Sequence, residues 1–439
     1  MEQYTIQASS AAQLVSSVEG GVASGALRPG QQLPSVRRLA QDVGLSPATV
    51  AAAMGELRRR GVVLSERRRG TRISQAPPIS SRATIPVPGG ARDLSSGNPD
   101  PSLLPDLRRG LDRDRAPARL YGEPAVLPGL AAFGRAKLSA DGIRSDSLCV
   151  VSGALDGIER VLQAHLRPGD GVAVESPGYA ALFDLLRAHG LSPLGVAVDG
   201  RGMRPAELQA ALARGARAAI VTPRGQNPTG AELDQARARE LRAILARSPQ
   251  TLVIEDDHLG ALAPGRLHTI VTGRDRWAAT RSVAKALGPD LRLAVLTGDP
   301  LTVARVEGRQ RCGPGWVSHI LQRLVLELWS DPAVIALVER AGATYARRRE
   351  RFLGHLAAHG IGASGRSGLN VWVPVEDETA TVGALLQRGW VVAPGAAYRL
   401  PGSAPAVRVT ISTLSAPESG RLAADLGEIL AGASSTRTC

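Results

Sequence analysis

Lysine is rare in this chain: only Lys137 and Lys285 occur among 53 basic residues, and the others are arginines. An arginine guanidinium stays protonated, so it cannot form a Schiff base, whereas a desolvated lysine amine can form one with a carbonyl compound. Arg292 follows Lys285 by seven residues, and arginine is well suited to binding phosphate. The pair predicts a site for a phosphorylated aldehyde at Lys285. Lys137 is interpreted as an exposed helix residue.

A site for pyridoxal 5'-phosphate (PLP) needs more than an amine. It needs an anion near the ring nitrogen, a donor to the phenolic oxygen, an aromatic ring for stacking and a phosphate cradle. The candidates, in that order, are Asp256, Asn227, Tyr179 and the Ser152-Gly153 turn. Each has a plainer explanation by itself, as a solvated acidic turn, a β-turn, a core aromatic residue or a loop. All four follow predicted strands, where open α/β sheets place their sites, so together they predict a PLP site.

The elements that must position these residues are visible as alternating patterns. Short apolar runs predict buried strands at 148–151, 171–175, 218–222 and 252–255, and amphipathic segments predict helices that include 205–214 and 231–247. This alternation predicts a largely parallel sheet with helices on both faces. Beyond residue 331, a helix at 334–359 and strands at 370–375, 391–393 and 407–412 predict a smaller α+β subdomain.

The N-terminal region carries a second pattern. Ser35 can cap a helix with apolar residues at 36, 39, 40 and 43, and Ser46 with Pro47 can begin a second helix after a glycine turn. Helix, short turn and helix are typical of a helix-turn-helix. Apolar runs at 62–64 and 71–73 then flank a predicted hairpin tip that contains Arg67, Arg68 and Arg69. The pattern predicts a winged helix.

A winged helix predicts DNA binding. The second helix would place Ser46, Ala48 and Thr49 near base edges in the major groove, and the three arginines of the tip would contact phosphates or a narrow minor groove. The alternative is a helical dimerisation module with a solvated basic loop. A net charge of +13 favours an anionic partner but is a weak signal alone.

Composition limits the remaining possibilities. The 439 residues suit two or three domains, and 44% hydrophobic residues suffice for a sizeable core. No apolar run approaches a membrane span, the N-terminus does not resemble a signal peptide, and three scattered cysteines suggest no disulfide framework or metal site. These features predict a cytoplasmic protein. The predicted domains are a DNA-binding domain at 1–74, a linker rich in proline at 75–91, a large domain at 92–330 and a small subdomain at 331–439.

The stretch 25–40 reads Gly-Ala-Leu-Arg-Pro-Gly-Gln-Gln-Leu-Pro-Ser-Val-Arg-Arg-Leu-Ala and resembles the GntR winged-helix signature. The resemblance covers most of residues 10–74. It implies that Ser35 and Arg37 contact the DNA backbone, and Arg38 is a further candidate beside them. Pro47 stands where that family usually has an arginine that contacts DNA, so the base preference is left open.

Residues 93–430 resemble fold-type I aminotransferases through Asn-Pro-Thr-Gly at 227–230, Glu-Asp-Asp at 255–257 and the run from Ser282 to Leu293. The resemblance implies that Lys285 forms the Schiff base, Asp256 pairs with the ring nitrogen, Asn227 bonds the phenolic oxygen and Tyr179 stacks on the ring. The implied phosphate ligands are Ser282, Arg292 and the amides of Ala154 and Leu155, with Tyr121 reaching the partner subunit's phosphate.

The same resemblance implies that Arg408 grips a substrate or effector carboxylate. Three positions depart from that family's usual pattern. His258 replaces a tyrosine beside the phenolic oxygen, and because histidine titrates near neutral pH, cofactor affinity is expected to depend on pH. Ala284 replaces a serine and Leu155 replaces a glutamine. These losses weaken the case for transaminase activity more than the case for cofactor binding.

A GntR winged helix joined to an aminotransferase-like domain resembles the MocR-type transcriptional regulators. Asp-Asp-His at 256–258, the run 281–294 and Gly-Trp-Val-Ser-His at 315–319 resemble its PtsJ-like subgroup, tied to vitamin B6 salvage. The resemblance implies a homodimer that binds an operator and reports PLP, with the fold used for sensing rather than turnover. The alternatives are a working aminotransferase with an appended DNA-binding domain, a regulator that responds to an amino acid, and a regulator that has lost the cofactor.

Overall fold

The computed structural model describes residues 4–24, 26–59, 61–66, 70–74, 87–111, 120–263 and 265–435. The chain divides into two compact units. The first unit comprises residues 1–83 with segments 166–171 and 181–193, and the second comprises the remainder. No helix in the described ranges is both long and apolar enough to cross a membrane.

The first unit begins with three helices and an antiparallel hairpin. These are α1 (Ala11–Ala23), α2 (Val36–Val43), α3 (Pro47–Arg59), β1 (Val63–Glu66) and β2 (Gly70–Ile73). All five elements contribute buried aliphatic side chains to one core, among them Leu14, Leu39, Leu57, Val63 and Ile73. The element order is that of the predicted winged helix-turn-helix.

Local hydrogen bonds explain where α2 and α3 begin and end. The Ser35 hydroxyl accepts a hydrogen bond from the amide of Arg38 at the start of α2, and the helix ends at Gly44, whose φ of 69° favours glycine. The Ser46 hydroxyl accepts one from the amide of Thr49 at 3.1 Å, and Pro47 is the first residue of α3. Both predicted caps are confirmed.

An eight-stranded sheet forms the centre of the second unit. A short strand, β3 (Arg92–Asp93), precedes this sheet in sequence and is not part of it. The eight strands of the sheet are β4 (Leu148–Val151), β5 (Gly171–Ser176), β6 (Ser192–Asp199), β7 (Gly202–Met203), β8 (Ala216–Val221), β9 (Leu252–Asp257), β10 (Trp277–Ser282) and β11 (Ala294–Gly298). The order across the sheet is β4-β11-β10-β9-β8-β5-β6-β7. β8, β9 and β10 are parallel neighbours, and β11 is antiparallel to both β10 and β4. The carboxyl ends of β4, β8, β9 and β10 therefore lie at one edge.

Helices cover both faces of this sheet. The helices of the second unit before residue 331 are α4 (Arg108–Leu111), α5 (Pro128–Ala140), α6 (Ala154–His165), α8 (Pro205–Ala213), α9 (Gln235–Ala246), α10 (Ala284–Leu287), α11 (Pro300–Arg311) and α12 (His319–Ser330), whereas all but the first residue of α7 (Ala180–Ala188) belongs to the first unit. α6 and α11 pack together on one face, where Gly157 lies against Leu296 and Thr280. α5, α8 and α9 share a core with Ala279 and Val295, which the strand alternation places on the other face.

A smaller α+β region completes the second unit. Its elements are α13 (Pro332–Ala358), β12 (Asn370–Pro374), α14 (Glu378–Gln387), β13 (Trp390–Val391), β14 (Ala393–Pro394), β15 (Ala406–Thr410) and α15 (Ala416–Ser435). β12, β15 and β14 form an antiparallel sheet, and β13 pairs in parallel with β3. Phe352, Val371, Val409 and Leu426 belong to its core.

The predicted fold class is confirmed, although two segments were wrong in extent. The helix predicted over 231–247 begins only at Gln235, because Ala231 and Leu233 take part in turn hydrogen bonds with Gln226 and Pro223 before Asp234 caps the helix. The strand predicted at 391–393 is split between β13 and β14, which belong to different sheets. Arg67, Arg68, Arg69 and residues 75–86 of the predicted linker lie outside the described residues.

Candidate cofactor site and DNA-binding surface

A cavity lies at the edge of the sheet where β4, β8, β9 and β10 end. Nine residues singled out from the sequence line it: Ala154, Leu155, Tyr179, Asn227, Asp256, His258, Ser282, Lys285 and Arg292. The fold thus brings together side chains that are up to 138 positions apart in the chain. Arg408 contacts the wall of this cavity without lining it, and Tyr121 lies elsewhere.

Lys285 lies on α10, directly after β10, and its Nζ donates a hydrogen bond to the Gly97 carbonyl at 2.6 Å. Burial, together with the charge of Arg408, lowers the pKa of Lys285 to about 8. Gly97 has a φ of 69°, and a Cβ there would lie 3.3 Å from the Arg408 guanidinium. The backbone at 97 thus separates the two cations, and the amine is far easier to deprotonate than an exposed lysine.

Asp256 is buried near the end of β9. Its Oδ1 accepts a hydrogen bond from the Thr280 hydroxyl on β10 at 3.2 Å. Burial raises the pKa of Asp256 to about 7, the bond from Thr280 opposes this rise, and the nearby Asp257 carboxylate adds to it. A cation placed against this carboxylate would lower its pKa again. The environment therefore suits a protonated ring nitrogen.

Arg408, on β15 of the small α+β region, contacts the cavity wall through Asn227. Its Nη1 donates to Asn227 Oδ1 at 3.1 Å, its Nη2 donates to the Ser95 carbonyl, and its guanidinium carbon lies 4.7 Å from the centre of the Tyr398 ring. Nε is buried without a hydrogen-bond partner among the described residues. A buried donor left unpaired is costly, so the guanidinium has capacity for a carboxylate ligand.

Arg292 and the start of α6 form an anion-binding corner. Arg292 Nη2 lies 3.4 Å from the Ser152 carbonyl, and a Cβ at Gly153 would lie 2.7 Å from the same nitrogen. Gly153, with a φ of 102°, is therefore required for this approach. Arg292 is the described non-glycine residue with positive φ, at 43°, a strained conformation that is typical of functional sites. The guanidinium and the first amides of α6, at Ala154 and Leu155, suit a phosphate.

His258 behaves differently from the expectation. Burial, and then the charge of Lys285, lower the pKa of His258 to about 4. The imidazole is therefore neutral throughout the physiological range, and the expectation that it titrates near neutral pH was wrong. Tyr179 is 38% exposed at the cavity mouth, and partial burial raises its pKa above the usual value.

Seven further residues of the cavity wall were missed by the sequence reasoning. They are Gly97, Thr222, Gly225, Leu259, Pro289, Leu369 and Asn370. Asn370 accepts a hydrogen bond from the Thr410 hydroxyl at 3.1 Å, and that hydroxyl accepts one from the Gly97 amide at 3.0 Å. In the register of β12 and β15, Asn370 pairs with Thr410, two residues from Arg408. Pairing the two predicted strands would have located Asn370.

A buried ionic network supports the end of β9. Asp257 binds the Arg224 guanidinium through two hydrogen bonds of 2.8 and 2.9 Å and Arg281 through one of 2.8 Å, and Arg281 also reaches Asp141 at 2.6 Å. Burial alone would raise the pKa of Asp257, but the two guanidinium groups outweigh it and hold the pKa well below the usual range. The network fixes the residue between Asp256 and His258.

The predicted DNA-contacting residues of the first unit are at its surface. Ser35, Arg37, Arg38, Ser46 and Ala48 are exposed, and Thr49 is half-buried. Arg38 forms an ion pair with Asp42 at 3.0 Å one turn along α2. Their contacts with DNA remain predictions.

Tyr121 is 89% exposed, and its ring packs edge-on against Trp316 at a centroid distance of 5.6 Å. Leu120, directly before Tyr121 in sequence, is 71% exposed, and Ile320, four residues after Trp316, is 56% exposed. These residues present apolar surface, and the predicted reach of Tyr121 to the partner subunit remains a prediction.

Two families match separate parts of the chain. Residues 11–73 match the family described as "Bacterial regulatory proteins, gntR family", and residues 93–426 match "Aminotransferase class I and II". Relatives that carry both parts include the vitamin B6 salvage pathway transcriptional repressor PtsJ of Salmonella typhimurium, with 39% identity over 97% of this chain and 99% of that protein. The HTH-type transcriptional regulator TauR of Rhodobacter capsulatus is 29% identical over 87% of this chain and 88% of its own.

Solved aminotransferases share the fold of the second region. The α-aminoadipate aminotransferase LysN of Thermus thermophilus, complexed with N-(5'-phosphopyridoxyl)-L-leucine, covers 78% of this chain and 93% of its own, with 21% identity and a TM-score of 0.69. The kynurenine aminotransferase of Pyrococcus horikoshii covers 79% and 92%, with 20% identity and a TM-score of 0.72.

Proposed function

We propose, from the premise that this chain belongs to the MocR-type transcriptional regulators, that it regulates vitamin B6 salvage genes in response to PLP. The observation that carries the proposal is the 39% identity, over nearly the whole chain, with a repressor of that pathway. The cavity adds chemical support, because a buried amine, a buried carboxyl and a phosphate corner face the same space.

The residues of this cavity fit PLP. Lys285 would bind its aldehyde carbon, Asp256 its ring nitrogen, Asn227 its phenolic oxygen and Tyr179 its ring face. Ser282, Arg292 and the first amides of α6 would hold the phosphate, a charge that the helix N-terminus favours. Once bound, PLP supplies an electrophilic carbon and an electron sink. Arg408, whose Nε has no hydrogen-bond partner in the described part of the chain, would hold the carboxylate of an amino-acid effector.

Regulation requires that PLP bind two states of the protein with different affinities. A homodimer would present two winged helices to paired half-sites in DNA, one helical turn or a multiple of it apart. The exposed Leu120, Tyr121 and Ile320 support a second copy as the partner, because large apolar side chains at a surface favour protein contacts. In such a dimer Tyr121 would complete the partner subunit's phosphate site.

Binding to the upstream region of this protein's own gene tests the function. We expect the full chain to protect a defined segment of that duplex and PLP to change its affinity at least several-fold. The measurement is a titration of labelled duplex with and without PLP, with pyridoxal as a control that lacks the phosphate. Equal affinity and an identical footprint in all three conditions would contradict the sensing mechanism.

The pH dependence of PLP loading tests the role of Lys285. Only the neutral amine is nucleophilic, and its pKa is about 8. We expect the loading rate, followed by absorbance, to rise about tenfold per pH unit below pH 7 and to level off above about 8, rather than near 10.4 as for an exposed lysine. His258 is already neutral in this range, so the rise belongs to Lys285. In Arg408→Gln the plateau should move to higher pH, since a charge that lowers the pKa of Lys285 is gone.

A second candidate function is transamination. The buried Arg408 favours it, because its guanidinium bonds Asn227, its Nε lacks a partner among the residues that the structure describes, and an enzyme also needs a group that binds a carboxylate beside the amine. Spectral titration with a panel of amino acids separates the two functions. Rapid half-reactions with multiple amino acids would favour an enzyme, whereas slow or absent turnover together with PLP-dependent DNA binding would favour a regulator.

A further inference from the structure

The exposed surface at the start of α3 consists of small aliphatic side chains. Pro47, Ala48, Ala51 and Ala52 are exposed, and they belong to the first two turns of the helix. The helix contains no charged residue before Glu56. In a helix-turn-helix these first turns are the part that meets the base edges. The surface offered to the bases is therefore made mainly of methyl and methylene groups.

The two hydroxyl groups at this end of α3 are engaged with each other. The Ser46 and Thr49 oxygens lie 2.8 Å apart, and the Ser46 hydroxyl also accepts the Thr49 amide. Both are thereby committed to capping the helix. Arg58, farther along α3, directs its Nε to the Met54 carbonyl at 3.4 Å. These first turns contain no arginine, asparagine or glutamine, which are the residues that form bidentate hydrogen bonds with bases.

The major groove offers one apolar feature that such a surface can read. Thymine carries a 5-methyl group there, and alanine and threonine methyl groups contact it favourably. Small side chains also let the helix approach the groove floor closely. Building on the proposed DNA binding, we infer that α3 recognises 5-methyl groups of pyrimidines, chiefly thymines, in its operator half-site. Phosphate contacts from elsewhere in the winged helix would provide affinity without sequence information.

Replacing thymine with deoxyuridine in the protected duplex tests this inference. The change removes the 5-methyl group and leaves the hydrogen-bonding edge of the base intact. We expect affinity to fall about fourfold for each contacted methyl group, the effect of exposing one buried methyl. Single replacements along the footprint should locate the contacted thymines. A further series with 5-methylcytosine in place of cytosine distinguishes a thymine reader from a reader of methylated cytosine, because both bases present the same group.

Two matched variants separate methyl recognition from helix stability. Ala48 is the second residue of α3, and Ala12 is the second residue of α1 and is also exposed. Glycine weakens a helix relative to alanine, and the second position of a helix is the same in both variants, so this effect is matched. For each variant, the affinity for the duplex with thymine is divided by the affinity for the duplex with deoxyuridine at the same position. Ala48→Gly should bring this ratio close to one at the thymine that Ala48 contacts. Ala12→Gly should leave the ratio unchanged. The ratio is independent of the overall affinity of each variant.

The outcomes distinguish this inference from the function on which it rests. If no duplex from the upstream region binds, the proposed function fails. If the duplex binds and every deoxyuridine replacement leaves the affinity unchanged, the function stands and methyl recognition is overturned. An equal loss of the affinity ratio in Ala12→Gly would also overturn it, because the effect would not belong to α3.

Discussion

Replacing Lys285 with alanine will abolish covalent attachment of PLP to this protein. Lys285 is the buried lysine, with its pKa lowered to about 8 and its Nζ in the cavity that holds Asp256 and Arg292. No neighbouring side chain can substitute, because an arginine guanidinium does not form a Schiff base. We expect borohydride reduction followed by mass spectrometry to find one phosphopyridoxyl group per wild-type chain and none in the variant. The visible absorbance band should disappear with it.

The chain offers a matched control, since its other lysine is exposed. Lys137→Ala should retain full loading, because Lys137 lies on the surface of α5 with its Nζ over the Phe133 ring. Lys285→Arg keeps the charge and should remain colourless. A phosphopyridoxyl group on Lys137 or the N-terminus, with Lys285 unmodified, would refute the assignment. A wild-type protein that cannot be loaded would favour a regulator that has lost its cofactor.

Replacing Asp257 with asparagine will destabilise the second unit by about 3–5 kcal/mol, the usual cost of removing one partner from a buried ion pair. Arg224 and Arg281 both bind this carboxylate, and their side chains are 5% exposed. Without it, Asp141 is the carboxylate among the described residues that still pairs with the two buried guanidinium groups. Urea unfolding followed by far-UV circular dichroism should show a lower midpoint for the transition of this unit.

The control and the pH dependence of this prediction follow from burial. Asp106→Asn removes a carboxylate whose arginine partner is 83% exposed, so we expect a change within about 0.5 kcal/mol.

The pKa of Asp257 is depressed in the folded protein, so its stabilising contribution is complete above the unfolded value of about 4 and is lost as the pH falls below it. The difference between wild type and variant should therefore shrink in acid. An equal effect of both substitutions would contradict the importance of the buried network.

Periodicity and end signals made much of the fold predictable. The caps at Ser35 and Ser46, the apolar strands β4, β8 and β9 and the long helix α13 carry local signals strong enough to identify them. The cavity residues could be predicted because parallel strands bring their carboxyl ends to one edge, whatever lies between them in sequence. Asp256, Asn227 and Lys285 face the same cavity for that reason.

The properties that escaped prediction depend on tertiary packing. β10 consists of Trp-Ala-Ala-Thr-Arg-Ser and lacks a strand-like pattern, yet it supplies the Thr280 bond to Asp256. Asp257 reads as part of an exposed acidic turn until Arg224 and Arg281 are placed against it. The pKa of His258 follows from burial and the Lys285 charge, neither of which is visible in a run of letters.

The segment from Ser95 to Gly97 is held by both cations of the cavity. Lys285 donates to the Gly97 carbonyl, and Arg408 donates to the Ser95 carbonyl. Condensation of the Lys285 amine with the PLP aldehyde would release water and replace N–H bonds of the amine with a bond to carbon, which would weaken its hydrogen bond to Gly97. A guanidinium that turned to a carboxylate would likewise weaken its hold on Ser95. Each ligand would thus remove or weaken one of these two hydrogen bonds to the segment that follows β3. Ligands at both positions would remove the two hydrogen bonds that the cations make to this segment and leave the bond from the Gly97 amide to the Thr410 hydroxyl, so PLP and an effector together would loosen the chain directly after β3.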